Sequence, residues 1–218
     1  MIKCLISDFS QVVKNEKFIQ SIRKSYREGK ILFIPSTPNN KIITNKNITE
    51  IVALFNNNGF LFSDADYIDE RSDIKKLKEE INQYSIIFLM GGVTLQQNGF
   101  ISALEIKDIF YDYTGIVIGL SAGALNMCKQ SLLTPIHEEG NQENLILAGL
   151  GLVDITVEVH FDVNNQIQRE FIQETGLKVY CIPNDSAIII EENVILICGE
   201  LYLYDSKVIR KLEEKSYE

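Results

Sequence analysis

The chain reads Ile116-Val117-Ile118-Gly119-Leu120-Ser121-Ala122-Gly123 near its middle. The three β-branched residues at 116–118 predict a buried strand, and the residues at 124–127 can continue as a helix. Between them, Gly-x-Ser-x-Gly predicts a sharp strand-to-helix turn in which glycine lets the backbone fold tightly. The Ser121 hydroxyl is then presented above the carboxyl ends of the strands. This pattern predicts a nucleophile elbow in an α/β fold.

The rest of the chain supports that fold class, because short apolar runs alternate with helical periodicity. The first half predicts strands at Lys3–Ser7, Ile31–Ile34, Phe60–Phe62 and Ile86–Met90. Such alternation is typical of a single doubly wound, mostly parallel sheet with helices on both faces. In a sheet of this kind, ligands bind beyond the carboxyl ends of the strands. Both glycine turns, Gly91-Gly92 and the elbow, fall at that edge.

The pattern changes after residue 150. Residues 153–159 alternate in polarity, a helix is predicted over 166–174, and short strands at 187–190, 194–198 and 201–204 predict antiparallel hairpins at a sheet edge. No linker, repeat or low-complexity segment interrupts the chain. We therefore expect one domain over residues 1–218.

Composition limits the classes of partner. The 218 residues are 45% hydrophobic and 23% charged, with a formal net charge of −9. An acidic chain without a basic stripe argues against nucleic acid. No apolar run approaches the roughly 20 residues that cross a bilayer, and the N-terminus does not resemble a signal peptide. We expect a cytoplasmic protein, a monomer or homodimer, that acts on a small peptide and does not bind membranes.

The four cysteines are scattered and form neither a C-x-x-C motif nor a Cys/His metal set. They are interpreted as buried thiols. Cys128, about two turns beyond the elbow, is the one that could approach it, and a small core residue is the simpler interpretation. No metal ion and no cofactor are implied.

A serine nucleophile requires a base, and the chain offers two histidines. His160 follows the predicted strand Val157–Val159, so it should reach the edge that carries Ser121. His137 lies in a polar loop and is favoured to be solvated. His160 is therefore the predicted general base.

An elbow also requires donors for an oxyanion. The backbone N–H of Ala122 is one expected donor, and a second can come from a neighbouring strand-to-helix loop such as Gly91-Gly92. Thr94, a little further on, either caps the next helix or contacts substrate. The alternative for the two glycines is that they only form a tight turn.

Taken together, the motifs resemble a known family. Leu89-Met90-Gly91-Gly92-Val93-Thr94, the Gly119–Ala124 run, Leu150-Gly151-Leu152-Val153 and His160-Phe161 are similar to the peptidase E and cyanophycinase group of serine peptidases. That group has a class I glutamine amidotransferase-like fold. Amidotransferases proper carry cysteine at the elbow, whereas this chain carries serine.

The resemblance implies Ser121 as nucleophile, His160 as base, and Gly92 and Ala122 as oxyanion donors. It also implies an acidic third member. Where that acid is expected after a late strand, this chain has Asn184, with Asp185 one residue later. Glu138 and Glu139 match a second acidic position of the family. An asparagine can orient a histidine but cannot stabilise the imidazolium by charge.

The expected substrate class is implied by the family resemblance alone. Peptidase E proteins cleave after an N-terminal aspartate and cyanophycinases act on an Asp-Arg polymer, so a basic group should hold a carboxylate, and Arg169 is the candidate. The chain departs from the family pattern at two places. Val93 stands where the family usually has a polar residue after the glycine pair, and residues 162–165 stand where cyanophycinases have an arginine-rich stretch. The sequence predicts a serine peptidase for short peptides, such as dipeptides with N-terminal Asp. The alternative is a binding or regulatory protein whose catalysis is impaired.

Overall fold

The computed structural model describes residues 1–136, 143–192, 194–206, 208–214 and 216–217. For residues 216 and 217 it describes the backbone only. In chain order the helices are α1 (Phe9–Val12), α2 (Glu16–Arg23), α3 (Lys41–Asn57), α4 (Ile74–Glu80), α5 (Thr94–Ala103), α6 (Ala122–Met127) and α7 (Gln166–Glu174). The strands are β1 (Ile2–Ile6), β2 (Gly29–Ile34), β3 (Phe62–Tyr67), β4 (Tyr84–Leu89), β5 (Ile116–Leu120), β6 (Gln130–Leu133), β7 (Leu145–Ala148), β8 (Thr156–Val159), β9 (Val179–Ile182), β10 (Ala187–Glu191), β11 (Val194–Cys198), β12 (Leu201–Asp205), β13 (Val208–Leu212) and β14 (Ser216–Tyr217).

The main sheet has eight strands in the order β14-β11-β10-β1-β5-β4-β2-β3. Across the sheet, the five strands β1-β5-β4-β2-β3 pair in parallel. On the other side of β1, strands β10, β11 and β14 are added by antiparallel pairing. The predicted α/β class, with a mostly parallel sheet and antiparallel hairpins late in the chain, is confirmed.

A second sheet carries the later strands in the order β13-β12-β9-β8, and β6 pairs with β7 in a third. The 201–204 segment therefore pairs with β9 and β13 instead of extending the main sheet. Strand β8 runs parallel to β9, with Val159 opposite Ile182. The ends of these two strands consequently lie side by side.

Both faces of the main sheet are covered, as continuous apolar strands require. On β4, Phe88 faces the side of α1 to α3, where Phe9 and Phe55 lie with it in one buried cluster. Leu89 faces the opposite side and joins a cluster with Phe100 of α5. No helix in the described residues is long and apolar enough to span a bilayer.

Polar Asn47 and Thr49 favour a helix start at those residues, and the apolar run at 60–62 favours a strand there, but the structure differs at both boundaries. Helix α3 begins at Lys41, because the Asn40 side chain accepts a hydrogen bond from the Ile43 N–H at 3.2 Å and caps the helix. Strand β3 begins at Phe62 instead of covering 60–62, and runs through Asp64 and Asp66. An edge strand tolerates such exposed charges, so apolar periodicity misses it.

Close backbone packing fixes the position of α6 below the elbow. A Cβ atom on Gly123 would lie 2.3 Å from the Leu89 carbonyl oxygen of β4, and one on Gly119 would lie 2.6 Å from the Met127 sulfur. Glycine at both positions lets α6 lie directly against the strands. The start of α6 and the end of β5 are thereby held as one unit.

We therefore expect Gly123→Ala to lower the free energy of unfolding by about 1–3 kcal/mol or more, because the added methyl meets backbone that cannot move aside. Urea denaturation measures this. The matched control is Gly99→Ala in α5, where a Cβ has no atom within 4 Å. That variant should be more stable by roughly 0.5–1 kcal/mol, the helix-propensity gain. Equal midpoints for Gly123→Ala and wild type would contradict the packing argument.

Candidate active site

Strand ends from both sheets converge on one cleft. Ser7 follows β1, Gly91 and Gly92 follow β4, and Ser121 follows β5 at the carboxyl edge of the main sheet. His160 follows β8 of the second sheet and lines the same cleft. The cleft has a volume of about 470 Å³. The position agrees with the general rule for ligand sites in open α/β sheets.

Ser121 has a strained backbone, with φ 49° and ψ −109°. Residues other than glycine rarely adopt these backbone dihedral angles, and the conformation costs of the order of 1–3 kcal/mol in stability. The Ser121 N–H donates to the Ile6 carbonyl oxygen at 2.8 Å, which ties the turn to the end of β1. This conformation is the one expected for a nucleophile elbow.

The His160 ring lies between two polar side chains. Its Nε2 is 2.9 Å from Ser121 Oγ, and its Nδ1 is 2.7 Å from the Asn184 amide oxygen. An amide oxygen only accepts, so Nδ1 carries the proton in this arrangement and Nε2 accepts from the serine hydroxyl. His160 also has a positive φ, 52°. The three side chains form a continuous hydrogen-bonded line.

Asn184 contacts the ring from the turn after β9, whereas Asp185 turns away. The Asp185 carboxylate accepts a hydrogen bond from Ser186 Oγ at 3.2 Å. The other acids considered as third members, Glu138 and Glu139, lie outside the described residues, as does His137. Among described residues, the side chain that reaches His160 Nδ1 is therefore an amide.

Of the two expected oxyanion donors, Gly92 lines the cleft together with Ser121, and Ala122 follows Ser121 in the chain. Gly92 has φ 133°, and a Cβ there would lie 2.1 Å from Ser36 Oγ, so only glycine fits. Ser36 in turn donates to the Gly91 carbonyl oxygen at 2.6 Å, which fixes this turn. Ala122 is the first residue of α6, so its N–H has no acceptor within the helix.

Two residues predicted to contact substrate do not line the cleft. Thr94 is 3% exposed at the start of α5, and its carbonyl oxygen accepts from the Asn126 amide at 3.2 Å. Arg169 lies on α7 near Tyr204, and its Nε is buried without a hydrogen-bond partner in the described part of the chain. Burial raises the pKa of Tyr204 to about 12, and the Arg169 charge opposes that shift. Arg169 is therefore not among the described residues that line the cleft with Ser121 and His160.

The charge of the cleft is negative. Asp8 and Glu50 line it together with apolar side chains such as Phe9 and Leu54, and its described lining contains neither lysine nor arginine. One oxygen of Asp8 caps α1 by accepting from the Ser10 N–H at 2.8 Å. The Glu50 Oε1 atom lies 3.8 Å from Lys46 Nζ, and because both side chains are exposed, solvent screens this ion pair.

None of the four cysteines is a candidate nucleophile. Cys128 is fully buried, and burial raises the pKa of its thiol to about 12. The other three cysteines are buried as well. Because the thiolate is the reactive form of cysteine, these side chains are inert core residues, as the sequence predicted.

Ser7 contacts His160 although no sequence motif marks it. Its hydroxyl accepts a hydrogen bond from the His160 N–H at 3.0 Å and donates to the Ile182 carbonyl oxygen at 2.7 Å. A signal was available, because a small polar residue directly follows a buried strand at the carboxyl edge.

The fold and this site define an α/β protein of the serine-nucleophile hydrolase class. The family model described as Peptidase family S51 matches residues 4–198. The chain belongs to this family, and serine peptidase is its class. The resemblance inferred from the motifs is thus confirmed at the level of the family.

Two solved structures share the fold. A peptidase from an acI-B1 Actinobacterium superposes with a TM-score of 0.68 at 11% identity, over 99% of this chain and 96% of that one. A putative peptidase E protein from Listeria monocytogenes EGD-e gives 0.63 at 17% identity, over 97% and 98%. A search of curated protein sequences found no match.

Proposed function

We propose that the chain hydrolyses short peptides with a Ser121–His160–Asn184 triad. One observation carries this proposal: His160 lies within hydrogen-bond distance of Ser121 Oγ on one side and of the Asn184 amide oxygen on the other, at 2.9 and 2.7 Å. The base is then within hydrogen-bond distance of both the nucleophile and the group that orients it.

In the proposed mechanism, Ser121 Oγ attacks the scissile carbonyl while His160 Nε2 takes the hydroxyl proton. His160 returns that proton to the leaving amine, whose departure completes the acyl-enzyme. A water molecule then repeats the attack with His160 again as base, which releases the acid product and restores the serine hydroxyl.

The backbone N–H groups of Gly92 and Ala122 are the proposed oxyanion donors. Neither has an acceptor among the described residues, so both are available to a bound oxygen. Donors of this kind act on charge that develops in the transition state. The tight contact between Gly92 and Ser36 fixes one of them in advance.

The alternative function is that of a binding or regulatory protein, and Asn184 is the observation that favours it. A neutral amide does not stabilise the imidazolium that forms during attack. An amide can also turn over and offer its NH₂ to Nδ1, which would place the ring proton on Nε2. That tautomer cannot accept the serine proton.

The charge of the cleft bears on the substrate. The resemblance implies an N-terminal aspartate, yet Asp8 and Glu50 line the described cleft and Arg169 does not. Like charges repel an acidic side chain seated there. We therefore propose that neutral and basic N-terminal residues are preferred over aspartate.

A fluorophosphonate probe tests the nucleophile. We expect it to label the wild type and to leave Ser121→Ala unlabelled, because only an activated serine reacts. The matched control is Ser10→Ala, which removes another serine hydroxyl from the same cleft and should retain labelling. Labelling that survives in Ser121→Ala would refute the assignment, and an unlabelled wild type would favour the binding protein.

The third triad member is tested by Asn184→Asp. A carboxylate accepts from Nδ1 in either orientation and stabilises the imidazolium, so we expect kcat/KM to rise at least about tenfold. Asn184→Ala should instead lower it. Asp185→Asn is the matched control and should leave kcat/KM unchanged. A large loss in Asp185→Asn would transfer the orienting role to that residue.

Substrate charge is tested with dipeptides of equal size. Asn-X and Lys-X peptides should be hydrolysed faster than Asp-X, by up to about fivefold for each charge contact. Glu50→Gln should reduce the difference, whereas Glu79→Gln, on an exposed part of α4, should not. Fastest turnover of Asp-X would contradict the charge argument and support aspartate specificity, provided that Ser121→Ala abolishes it.

A further inference from the structure

Ser7 connects the strand ends that carry the triad. It is 1% exposed and follows β1 directly. Its hydroxyl accepts from the His160 N–H at 3.0 Å and donates to the Ile182 carbonyl oxygen at 2.7 Å. Ile6, the last residue of β1, accepts from the Ser121 N–H, so this residue and the next one hold the backbones of Ser121 and His160 respectively.

The chemistry of this contact suits a hydroxyl. A serine hydroxyl has one donor hydrogen and acceptor lone pairs, so it can bond an N–H and a carbonyl oxygen at once. Alanine offers neither bond, and it would leave a buried N–H and carbonyl without this partner. The Phe161 N–H also donates to the Ile182 oxygen, at 3.1 Å, so that β9 approaches the histidine turn at this point.

The His160 turn requires such support, because its backbone is in the left-handed region at φ 52°. A histidine relaxed from that conformation would move its ring relative to both Ser121 and Asn184. Misplacement of a catalytic group by about 1 Å can cost about a hundredfold in rate. The bond from the His160 N–H is therefore placed where it controls the geometry of the ring.

We propose that Ser7 is a positioning residue, whose buried hydroxyl holds the His160 backbone so that its ring bridges Ser121 and Asn184. This inference rests on the proposed triad. Ser7 acts through His160 and takes no part in bond making or breaking. Its loss should therefore lower the rate of the chemical step and leave KM close to that of the wild type.

The first test compares rates of labelling by the fluorophosphonate probe. Ser7→Ala should be labelled roughly ten- to hundredfold more slowly than the wild type, and Ser7→Thr, which keeps the hydroxyl, should recover most of the rate. The control is Ser131→Ala. Ser131 is equally buried, but its hydroxyl has no hydrogen-bond partner in the described part of the chain. A wild-type rate in folded Ser7→Ala would overturn the proposal.

The second test does not depend on activity. The chain has two histidines, so ¹⁵N-histidine labelling gives two sets of ring signals, each with an Nδ1 and an Nε2 resonance, and His160→Gln assigns them. At mildly alkaline pH, the His160 ring should hold its proton on Nδ1 in wild type and Ser131→Ala, and should lose that preference in Ser7→Ala. An unchanged tautomer in Ser7→Ala would overturn the positioning role.

The two failures are distinguishable. If labelling of the wild type does not depend on Ser121, the proposed peptidase mechanism fails, and the ring signals alone decide whether Ser7 positions His160. If labelling depends on Ser121 but proceeds at an equal rate in Ser7→Ala, the triad stands and the role of Ser7 is refuted.

Discussion

The site depends on holding two residues in strained backbone conformations. Ser121 and His160 both have positive φ, which costs each about 1–3 kcal/mol relative to ordinary geometry. Such conformations persist only where the surrounding structure fixes them. The hydrogen bonds to Ile6 and Ser7 at the end of β1 provide this restraint, since each accepts one N–H from a strained residue. The buried position of β1 in the main sheet makes these acceptors rigid.

The arrangement also shows why the proposed triad draws on two sheets. Ser121 comes from the main sheet, whereas His160 and Asn184 follow neighbouring parallel strands of the second sheet. A buried cluster containing Leu5, Val157 and Ile182 packs between the two sheets. Apolar packing sets the distance between the sheets, and the Ser7 hydroxyl adds a directional link where the strands end. The fold brings the sheets together, and the polar contacts set the orientation of the histidine ring.

Much of this was predictable from sequence, for identifiable reasons. Continuous apolar runs found β1, β2, β4 and β5, and Gly-x-Ser-x-Gly with its strand placed Ser121 at the correct edge. The edge strand β3 was mislocated because Asp64 and Asp66 within it carry no apolar signal. Arg169 was singled out because it is close to His160 in the sequence, whereas it is not among the described residues that line the cleft, and its charge lies near enough to Tyr204 to oppose the rise of that pKa. Ser7 could be placed at the carboxyl edge from its position after a buried strand, but only the structure brings its hydroxyl to the His160 N–H.

The amide at position 184 gives the site a different electrostatic character from a triad with a carboxylate. A carboxylate would both orient the ring and compensate the charge that His160 gains during attack, whereas Asn184 supplies orientation alone. Orientation by one neutral hydrogen bond is weak, so the ring depends more on its backbone anchor. The orientation of the ring then depends more on the Ser7 contact and on the backbone conformation of the His160 turn. In a triad without a charged member, precise backbone placement takes over part of what the missing charge would supply.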